Sequence, residues 1–314
     1  MKASSLTAET IKTAASGGYA SNAYAEALAE FGTVLELPRS GGRLLARKIP
    51  GAAVNDAMGC YPLFACRDWS QLPIDIEALA ERVVCVSLVT DPFAPMSLAQ
   101  LQSSFTDVCF PYKEHYVTDL SLSLDALIDS HHRRNIRKAA SNMDVAIACP
   151  SETLLHEWQR LYDNLIDRHG IVGIARFSPQ SFQRQFSVPG CTAFVATDAS
   201  TILGMTLWYV QDEVAYYHLG AYSDEGYMRR ASFAIFNTAL AHFQSVGIRW
   251  AALGAGAGVN AADSGLTRFK KGWSTGTRTA FFCGRVLQPE AYEGLSAGAR
   301  DGSAYFPLYR RPAP

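Results

Sequence analysis

The apolar and polar positions between Tyr216 and Trp273 predict three consecutive elements. An apolar strand runs into a Ser-Asp-Glu-Gly turn, and the stretch that follows has the period of an α-helix with one buried face. This face is built by residues that recur every fourth position, namely Ala231, Ile235, Ala239 and Phe243. Gly247 ends the predicted helix, and a second strand begins at Ile248. Strand, helix and strand at this spacing predict a right-handed crossover between parallel strands.

The carboxyl ends of these two predicted strands are where we expect a ligand. Parallel α/β sheets bind their ligands beyond the carboxyl ends of the strands. The two ends carry His218–Tyr222 and the glycine-rich run Gly254–Gly258. Within that run Gly256 is a substrate-binding candidate, because a backbone without side chains can approach a ligand closely. The same run would also serve as a plain flexible connection.

Three apolar runs upstream of this stretch predict an antiparallel meander at Thr192–Thr197, Ile202–Val210 and Val214–Leu219. The first half of the chain repeats the order, with a hairpin, a helix at Ile76–Arg82 and a buried strand at Val83–Val89. This order favours an α/β (α+β) fold that is duplicated in tandem, with mixed sheets flanked by helices.

The repeated order divides the chain into three parts. We expect a first half at 1–145 that ends in a basic linking helix, and a second half at 146–290 that holds the donor cleft. A last strand at 279–286 is assigned to this second half. The tail at 291–314 is rich in Gly, Ala, Arg and Pro, but its aromatic residues predict that it packs back on the first half.

Composition and charge narrow the class of protein. The 314 residues are 48% apolar and 18% charged, which is ordinary for a well-cored soluble protein of two domains. The formal net charge is -1, so a polyanion would have to be met by a local basic patch. Because no apolar run is long enough to cross a bilayer and no leader peptide is visible at the N-terminus, we expect a cytoplasmic protein.

The seven cysteines are scattered and form no CxxC pair, so neither a disulfide framework nor a zinc site is expected. Most of them, such as Cys85 and Cys283, lie in apolar strand-like contexts where cysteine is usually a small core residue. A cysteine-dependent hydrolase is also disfavoured, because no neighbouring Cys and His mark an activated nucleophile.

Three short segments resemble those of a known family. His131–Ala140 contains RRNIRKA, Gly265–Trp273 reads GLTRFKKGW, and Asp56–Pro62 ends in Gly-Cys-Tyr-Pro. The first resembles the basic helix that joins the two halves of the Fem-type peptidoglycan peptidyltransferases. The second resembles their GLxxFKxxF segment, and the third lies where they have a Gly-Tyr-Pro turn. Over residues 20–290 the chain resembles a Fem-like aminoacyltransferase or N-acyltransferase of the GNAT superfamily.

This resemblance implies a tandem GNAT-like architecture and an enzyme that forms an amide from an activated acyl donor and an amine. In the Fem enzymes the donor is aminoacyl-tRNA and the acceptor is an amine of a peptidoglycan precursor, whereas broader relatives use acyl-CoA. Lys270 and Phe269 carry over as functional residues, and Tyr217 is a second catalytic candidate. No acceptor-binding residue of the first half carries over, and the long helical hairpin that some Fem enzymes place around tRNA is missing.

The chemistry of amide formation gives the residues of the GLTRFKKGW segment separate roles. The reaction needs donors aimed at the carbonyl oxygen as it becomes an oxyanion, and the ammonium of Lys270 could provide one. Phe269 would keep water out and let a base or sugar stack on it, and Arg268 would contact the substrate. The alternative for Lys270 is a solvated lysine beside Lys271, as most lysines are.

The strand before the helix offers further candidates with ordinary alternatives. Tyr216 and Tyr217 point to opposite faces, so one is in the core and the other, taken as Tyr217, lines the cleft. His218 could be a general base, but a lone strand histidine is more often a packed, hydrogen-bonded residue. Asp263 could position the amine or simply stabilise a turn. Because no general base is convincing, the substrate itself or solvent would take the proton.

The basic run of the linking helix is a candidate phosphate contact. Arg133 and Arg137 lie four residues apart, as do Arg134 and Lys138. Like charges at this spacing destabilise an isolated helix, so a compensating anion is expected. A phosphate-bearing substrate and a salt bridge to acidic side chains explain the run equally well.

The turn before the long helix bears on the donor. A CoA-using GNAT enzyme normally has Q/R-x-x-G-x-G/A there, with backbone amides that hold the pyrophosphate. Here the run Glu225–Ser232 lacks the paired glycines, and the carboxylates of Asp224 and Glu225 would repel a pyrophosphate. Arg229 and Arg230 would partly offset this repulsion and are the cofactor-binding candidates.

These features favour aminoacyl-tRNA over acyl-CoA as the co-substrate, without a bound cofactor. The acceptor would be an amine of a peptidoglycan precursor, a small peptide or a sugar. A non-catalytic binding module that keeps the duplicated fold is the alternative from another class of protein.

Overall fold

The strands and helices are taken from a computed structural model, which describes residues 17–141, 143–148, 151–256, 265–298 and 305–311. The strands are β1 (Thr33–Glu36), β2 (Arg43–Lys48), β3 (Asn55–Gly59), β4 (Cys85–Val89), β5 (Val108–Asp119), β6 (Asp144–Ala148), β7 (Cys191–Asp198), β8 (Thr201–Gln211), β9 (Val214–Tyr222), β10 (Trp250–Gly254) and β11 (Gly276–Val286). The helices are α1 (Asn22–Ala27), α2 (Leu72–Glu77), α3 (Leu98–Ser104), α4 (Leu124–Leu127), α5 (Ser130–Ala140), α6 (Glu152–His169), α7 (Pro179–Phe186), α8 (Asp224–Met228), α9 (Ala231–Ser245), α10 (Gly265–Lys271) and α11 (Pro289–Ser296). None of the helices in these ranges is both long enough and apolar enough to cross a bilayer.

The described residues form two compact units. The larger unit contains 17–23 and 114–278, and the smaller unit contains 24–113 and 279–311. Each unit has its own hydrophobic core, one around α9 and β8–β10 and the other around α2, α3 and β2–β4.

In the larger unit the strand order is β5-β10-β9-β8-β7-β6. The strands β7, β8 and β9 form the predicted antiparallel meander, and β6 pairs antiparallel with β7. The predicted parallel crossover is also confirmed, since Ala251 of β10 lies opposite Ala215 of β9. On its other side β10 pairs antiparallel with β5.

The crossover helix α9 buries the face that its sequence period predicts. Ala231, Ile235, Ala239 and Phe243 all have 0% of their surface exposed. Two aromatic rings of this helix, Phe236 and Phe243, pack on Trp208 of β8. Burying a side chain of this size stabilises the fold by about 2–3 kcal/mol, so the helix is fixed against the sheet that carries the strand ends.

In the smaller unit the strand order is β1-β2-β3-β4-β11. It has the same plan, because β1 to β3 are antiparallel, β3 and β4 are parallel, and β4 is antiparallel to β11. The expected α/β class with mixed sheets flanked by helices is therefore confirmed.

The strand that closes each unit comes from the other half of the chain. The strand at 279–286 was assigned to the second half, but as part of β11 it pairs with β4, and Cys283 lies opposite Leu88 in the core of the smaller unit. Conversely β5, from the first half, pairs with β10 in the larger unit, which also contains α5. The predicted boundaries at 145 and 290 divide the chain by the repeated order of its elements, and they stay predictions. The two compact units instead group strands that are hydrogen-bonded to each other.

The described tail residues 305–311 belong to the smaller unit. The guanidinium of Arg310 pairs with the buried carboxylate of Asp56, which also accepts from Arg47 at 3.2 Å. The hydroxyl of Tyr309 lies 3.1 Å from the sulfur of Cys85. These contacts tie the end of the chain to β2, β3 and β4.

Candidate active site

Lys270 lies in the last turn of α10 with only 6% of its surface exposed. Its Nζ donates to the carbonyl oxygen of Ala255 at 2.6 Å and lies 5.7 Å from the centre of the Tyr217 ring. Gly254 ends β10 with φ 79°, and a Cβ there would come within 3.1 Å of Nζ. The ammonium therefore lies at the carboxyl end of the parallel pair β9 and β10, in a setting that desolvates it.

The segment that carries Lys270 is a helix rather than the predicted loop. Thr267 and Lys270, three residues apart, form its buried side, while Arg268 and Lys271 are exposed. This spacing is the helical one, in which each residue is rotated by about 100° from the one before it, so Lys270 is buried while Arg268 and Lys271 point outward. The structure thus separates Lys270 from its neighbour Lys271, which sequence alone could not do.

Phe269 packs in the hydrophobic core of the larger unit. Its ring lies 4.8 Å from that of Phe236 and 5.0 Å from that of Phe233, both edge to face. These contacts make Phe269 a support for the lysine. Its role as a stacking surface for a substrate stays a prediction, as does the substrate contact of the exposed Arg268.

The parallel strands stop pairing before β9 ends. In the described residues their ladder runs as far as Ala252 opposite Tyr216, whereas β9 continues to Tyr222. A β-bulge in the pairing of β9 with β8 falls at His218. Bulges re-aim strands next to binding sites, and the sequence predicted a ligand at this end of β9.

Tyr216 and Tyr217 lie on opposite faces of β9, as predicted. Tyr216 is 2% exposed and contacts Tyr19 with the ring centres 5.4 Å apart. Tyr217 lies on the face of Lys270, and burial raises the pKa of its phenol, which is therefore neutral at physiological pH. Its hydroxyl lies over Gly220, where a Cβ would come within 2.2 Å of it.

His218 is a buried, hydrogen-bonded residue and not a general base. Its Nδ1 is 3.1 Å from the hydroxyl of Tyr19, and its Nε2 is 2.9 Å from Oε1 of Gln185. Burial lowers the pKa of its imidazole to about 3. The ring lies on the face of β9 opposite Tyr217, so the structure favours the packing role of the two that the sequence allowed.

The basic helix α5 exposes Arg133 and Arg137 on the side away from its buried His132, Asn135 and Ala139. The guanidinium of Arg133 is 3.4 Å from the carbonyl oxygen of Asp125. In the part of the chain that the structure describes, neither arginine has an ion-pair partner. Of the two explanations for the run, this arrangement agrees better with a phosphate ligand.

Arg229 and Arg230 lie in the break between α8 and α9. Arg229 donates to Asp198 at 2.7 Å and to Glu225 at 3.0 Å, so two carboxylates already engage its charge. Arg230 is exposed and has the left-handed φ of 63° that starts α9. Contact of either arginine with a cofactor stays a prediction.

Gly256 is partly buried beside Ala255, the residue whose carbonyl accepts from Lys270. Its contact with a substrate stays a prediction. The rest of the glycine-rich run, Ala257 and Gly258, and the candidate Asp263 lie outside the described residues.

The cysteines described by the structure are free thiols. Burial raises the pKa values of Cys60, Cys85 and Cys191 to about 12. A thiol with such a pKa is protonated at neutral pH and is a poor nucleophile. This agrees with the rejection of a cysteine-dependent hydrolase.

Sequence reasoning passed over one residue at this site. His132 of α5 is 3% exposed, and its Nε2 is 2.9 Å from the carbonyl oxygen of Phe269. In the sequence, only the spacing of Asp129 and His132 at a helix start indicates a buried capping interaction. This spacing does not identify Phe269 as the other partner of His132.

Comparison of the sequence with family models and with curated protein sequences finds no match. Solved structures do match. FemX aligns at a TM-score of 0.65 and 15% identity over 91% of this chain and 96% of its own. The C-terminal domain of a putative lysylphosphatidylglycerol synthetase from Agrobacterium fabrum aligns at 0.62 and 15% identity, over 94% and 99%. L-PGS from Bacillus licheniformis aligns at 0.58 and 14% identity, over 85% and 93%. The chain therefore has a Fem-like, GNAT-type fold, as the resemblance predicted.

Proposed function

We propose that this protein is an acyltransferase that moves an aminoacyl group from an activated donor to an amine and so forms an amide. The observation that carries the proposal is the position of Lys270. A buried ammonium is costly unless the fold uses it, and this one lies where the parallel strands separate. The transferase fold of the structural neighbours supports the same class.

The chemistry assigns one task to Lys270 and another to the cleft. The amine attacks the carbonyl carbon of the donor ester, and the π electrons of the carbonyl group move to its oxygen. The ammonium of Lys270 stabilises this oxyanion until the carbonyl re-forms and the bond to the donor's alcohol oxygen breaks, and that oxygen takes up the proton that the attacking amine loses. In this proposal the two reactants meet at the separated ends of β9 and β10, and Tyr217, neutral and beside the lysine, borders the same space.

Aminoacyl-tRNA is the donor we favour. The exposed arginines of α5 suit phosphates of an RNA, which binding proteins contact mainly through Arg and Lys. The start of α8 is also poorly suited to a pyrophosphate, because Ser223 caps it and Asp224 and Glu225 occupy its first turn.

Acyl-CoA is the second candidate donor, and the start of α9 favours it. No side chain caps this helix, and Arg230 is exposed beside its first turn. Helix N-termini with free amides bind phosphate groups well. The ion pairs of Arg229 with Asp198 and Glu225 weigh against it, since they reduce the charge that a pyrophosphate would meet.

Replacement of Lys270 tests the catalytic proposal. We expect Lys270→Ala to lower the turnover of the favoured donor about 100- to 1,000-fold, as loss of one oxyanion donor does. Lys271→Ala is the matched control, because this lysine is exposed on the next position of the same helix. Circular dichroism and thermal unfolding check that both variants fold. Unchanged transfer by folded Lys270→Ala would contradict the role of Lys270, and a wild-type protein that transfers nothing from any donor would favour the non-catalytic binding module.

The donors are separated by direct binding and transfer assays. Binding of labelled aminoacyl-tRNA and of acyl-CoA is measured over a salt series. Transfer from each donor is then measured with the amine of a peptidoglycan precursor, a peptide and an amino sugar as acceptors. A phosphatidylglycerol vesicle is added because two neighbours are named for a lysyl lipid. An RNA donor predicts affinity that falls steeply with salt. Tight, salt-insensitive binding of acyl-CoA with transfer to an amine would reverse the order of donors.

A further inference from the structure

The imidazole of His132 lies between two hydrogen-bond acceptors. Its Nδ1 is 3.1 Å from Oδ1 of Asp129, and its Nε2 is 2.9 Å from the carbonyl oxygen of Phe269. A neutral imidazole has one N–H and can donate to only one of them, whereas an imidazolium donates to both. The remaining contacts of the ring are with His131 of its own helix, at 5.8 Å, and with aromatic rings of α9 and α10.

The ring is also held tightly against the end of α10. A Cβ on Gly272 would lie 2.0 Å from Cε1 of His132, so only glycine lets the backbone come this close. Phe233 and Trp273 pack edge to face on the imidazole with ring centres at 5.0 and 5.2 Å. These contacts hold the imidazole of His132 in one position.

The acceptor on α10 is one that the helix leaves open. The N–H of Trp273 bonds to the carbonyl of Lys270, three residues back, and not to that of Phe269, the α-helical partner four residues back. Terminal helix carbonyls need partners from outside the helix, and histidine near a helix C-terminus is a favourable one. The carbonyl of Phe269 belongs to the peptide bond that leads into Lys270, so a bond to it fixes the start of the lysine.

We propose that His132 is a positioning residue that holds the peptide bond between Phe269 and Lys270 and thereby sets where the ammonium lies. For the reaction of that ammonium the inference rests on the proposed function. It also gives α5 a second task, because this helix would carry exposed arginines on one side and fix Lys270 from the other.

The test compares two replacements of His132, each of which keeps one property of the side chain and removes the other. His132→Gln keeps an N–H that can reach the carbonyl of Phe269 but loses the ring, and His132→Phe keeps the ring but loses the N–H. If the hydrogen bond positions Lys270, we expect kcat to fall about tenfold or more in His132→Phe with KM for aminoacyl-tRNA within about twofold, and to recover largely in His132→Gln. A packing role alone predicts the reverse order. His131→Gln, at the exposed neighbour, is the control and should transfer normally.

A second measurement does not depend on any activity. Hydrogen exchange of residues 267–273 should be faster in His132→Phe than in His132→Gln, and ¹⁵N NMR should show a proton on Nε2 of His132 in the wild-type protein. Equal exchange in the two variants, or a bare Nε2, would overturn the inference. If these readouts hold while no donor supports transfer by the wild type, the proposed function fails and the structural role of His132 stands.

Discussion

Lys270 and His218 are two buried basic side chains of the larger unit with different hydrogen-bond partners. The lysine donates to a backbone carbonyl at the end of β10. The histidine lies between Tyr19 and Gln185, where burial holds its pKa near 3 and so keeps it uncharged. Each residue suits its surroundings, and in the proposed function only the lysine meets a developing negative charge.

The state of His218 predicts how stability depends on pH. Its pKa falls from 6.5 in the unfolded chain to about 3 in the folded protein. Between these values the unfolded chain binds the extra proton, so the free energy of unfolding decreases as the pH is lowered through this window. The slope from this group is at most about 1.4 kcal/mol per pH unit.

We expect His218→Gln to show a shallower decrease than the wild type in urea unfolding at pH 7, 6 and 5. Part of the slope should remain, because burial also lowers the pKa of His242. His131→Gln, at an exposed position, serves as control and should keep the full slope. Equal slopes in all three proteins would contradict the assignment of a neutral, buried His218.

At the scale of single residues, the sequence identifies those candidates that lie within one local motif. Lys270 and Phe269 stand in a segment whose resemblance is readable from nine consecutive letters, GLTRFKKGW. The contact of His132 with Phe269 joins residues 137 positions apart, and nothing in the local pattern of either residue specifies the other. The ion pair of Arg229 with Asp198 was unreadable for the same reason.

Among the elements, α10 shows why short helices escape prediction. Its seven residues lie between a glycine-rich run and Gly272, and about two turns are too short for a clear period. The longer α9, with 15 residues, repeats its buried face often enough to be predicted. The long helix beside the candidate site was therefore predicted, whereas the short helix α10 that carries Lys270 was not.

The turn before β7 provides a prediction about element packing. Gly190 has φ 83°, and a Cβ there would lie 2.3 Å from the carbonyl oxygen of Val210 in β8. Gly170, which ends α6, has φ 59° but open space around its Cβ position. Both would be strained as alanine, but only the first would also push two strands apart.

We expect Gly190→Ala to lower the free energy of unfolding by more than about 2 kcal/mol, and Gly170→Ala by about 1 kcal/mol. Urea denaturation of the two variants beside the wild type measures both values. Similar losses would show that the left-handed backbone alone matters and that the contact with Val210 does not.

At the scale of the whole molecule, the repeated order of elements was predictable and the exchange of closing strands was not. The apolar residues along 279–286 indicate a strand, but they do not say which neighbour this strand selects. Sequential strands usually lie beside each other, and that preference assigned β11 to the second half. The observed partner β4 lies nearly two hundred residues earlier, so only long-range packing decides the pairing.

The tail offers the corresponding test within the smaller unit. Asp56 is fully buried and accepts from Arg47, Arg310 and the hydroxyl of Tyr309. Removal of this carboxylate leaves two guanidinium groups without their shared anion, and breaking a buried pair from one side costs about 3–5 kcal/mol. Removal of Arg310 leaves Asp56 paired with Arg47, so the loss should be smaller.

We therefore expect Asp56→Ala to destabilise the protein more than Arg310→Ala in urea unfolding. Hydrogen exchange should rise in residues 24–113 and 279–311 in both variants, because the smaller unit has its own core around α2, α3 and β4. Protection in β7 and β8 should stay at the wild-type level. If Arg310→Ala were the more damaging change, Arg310 would have to stabilise the protein mainly through its bond to the carbonyl of Lys48 rather than through the carboxylate.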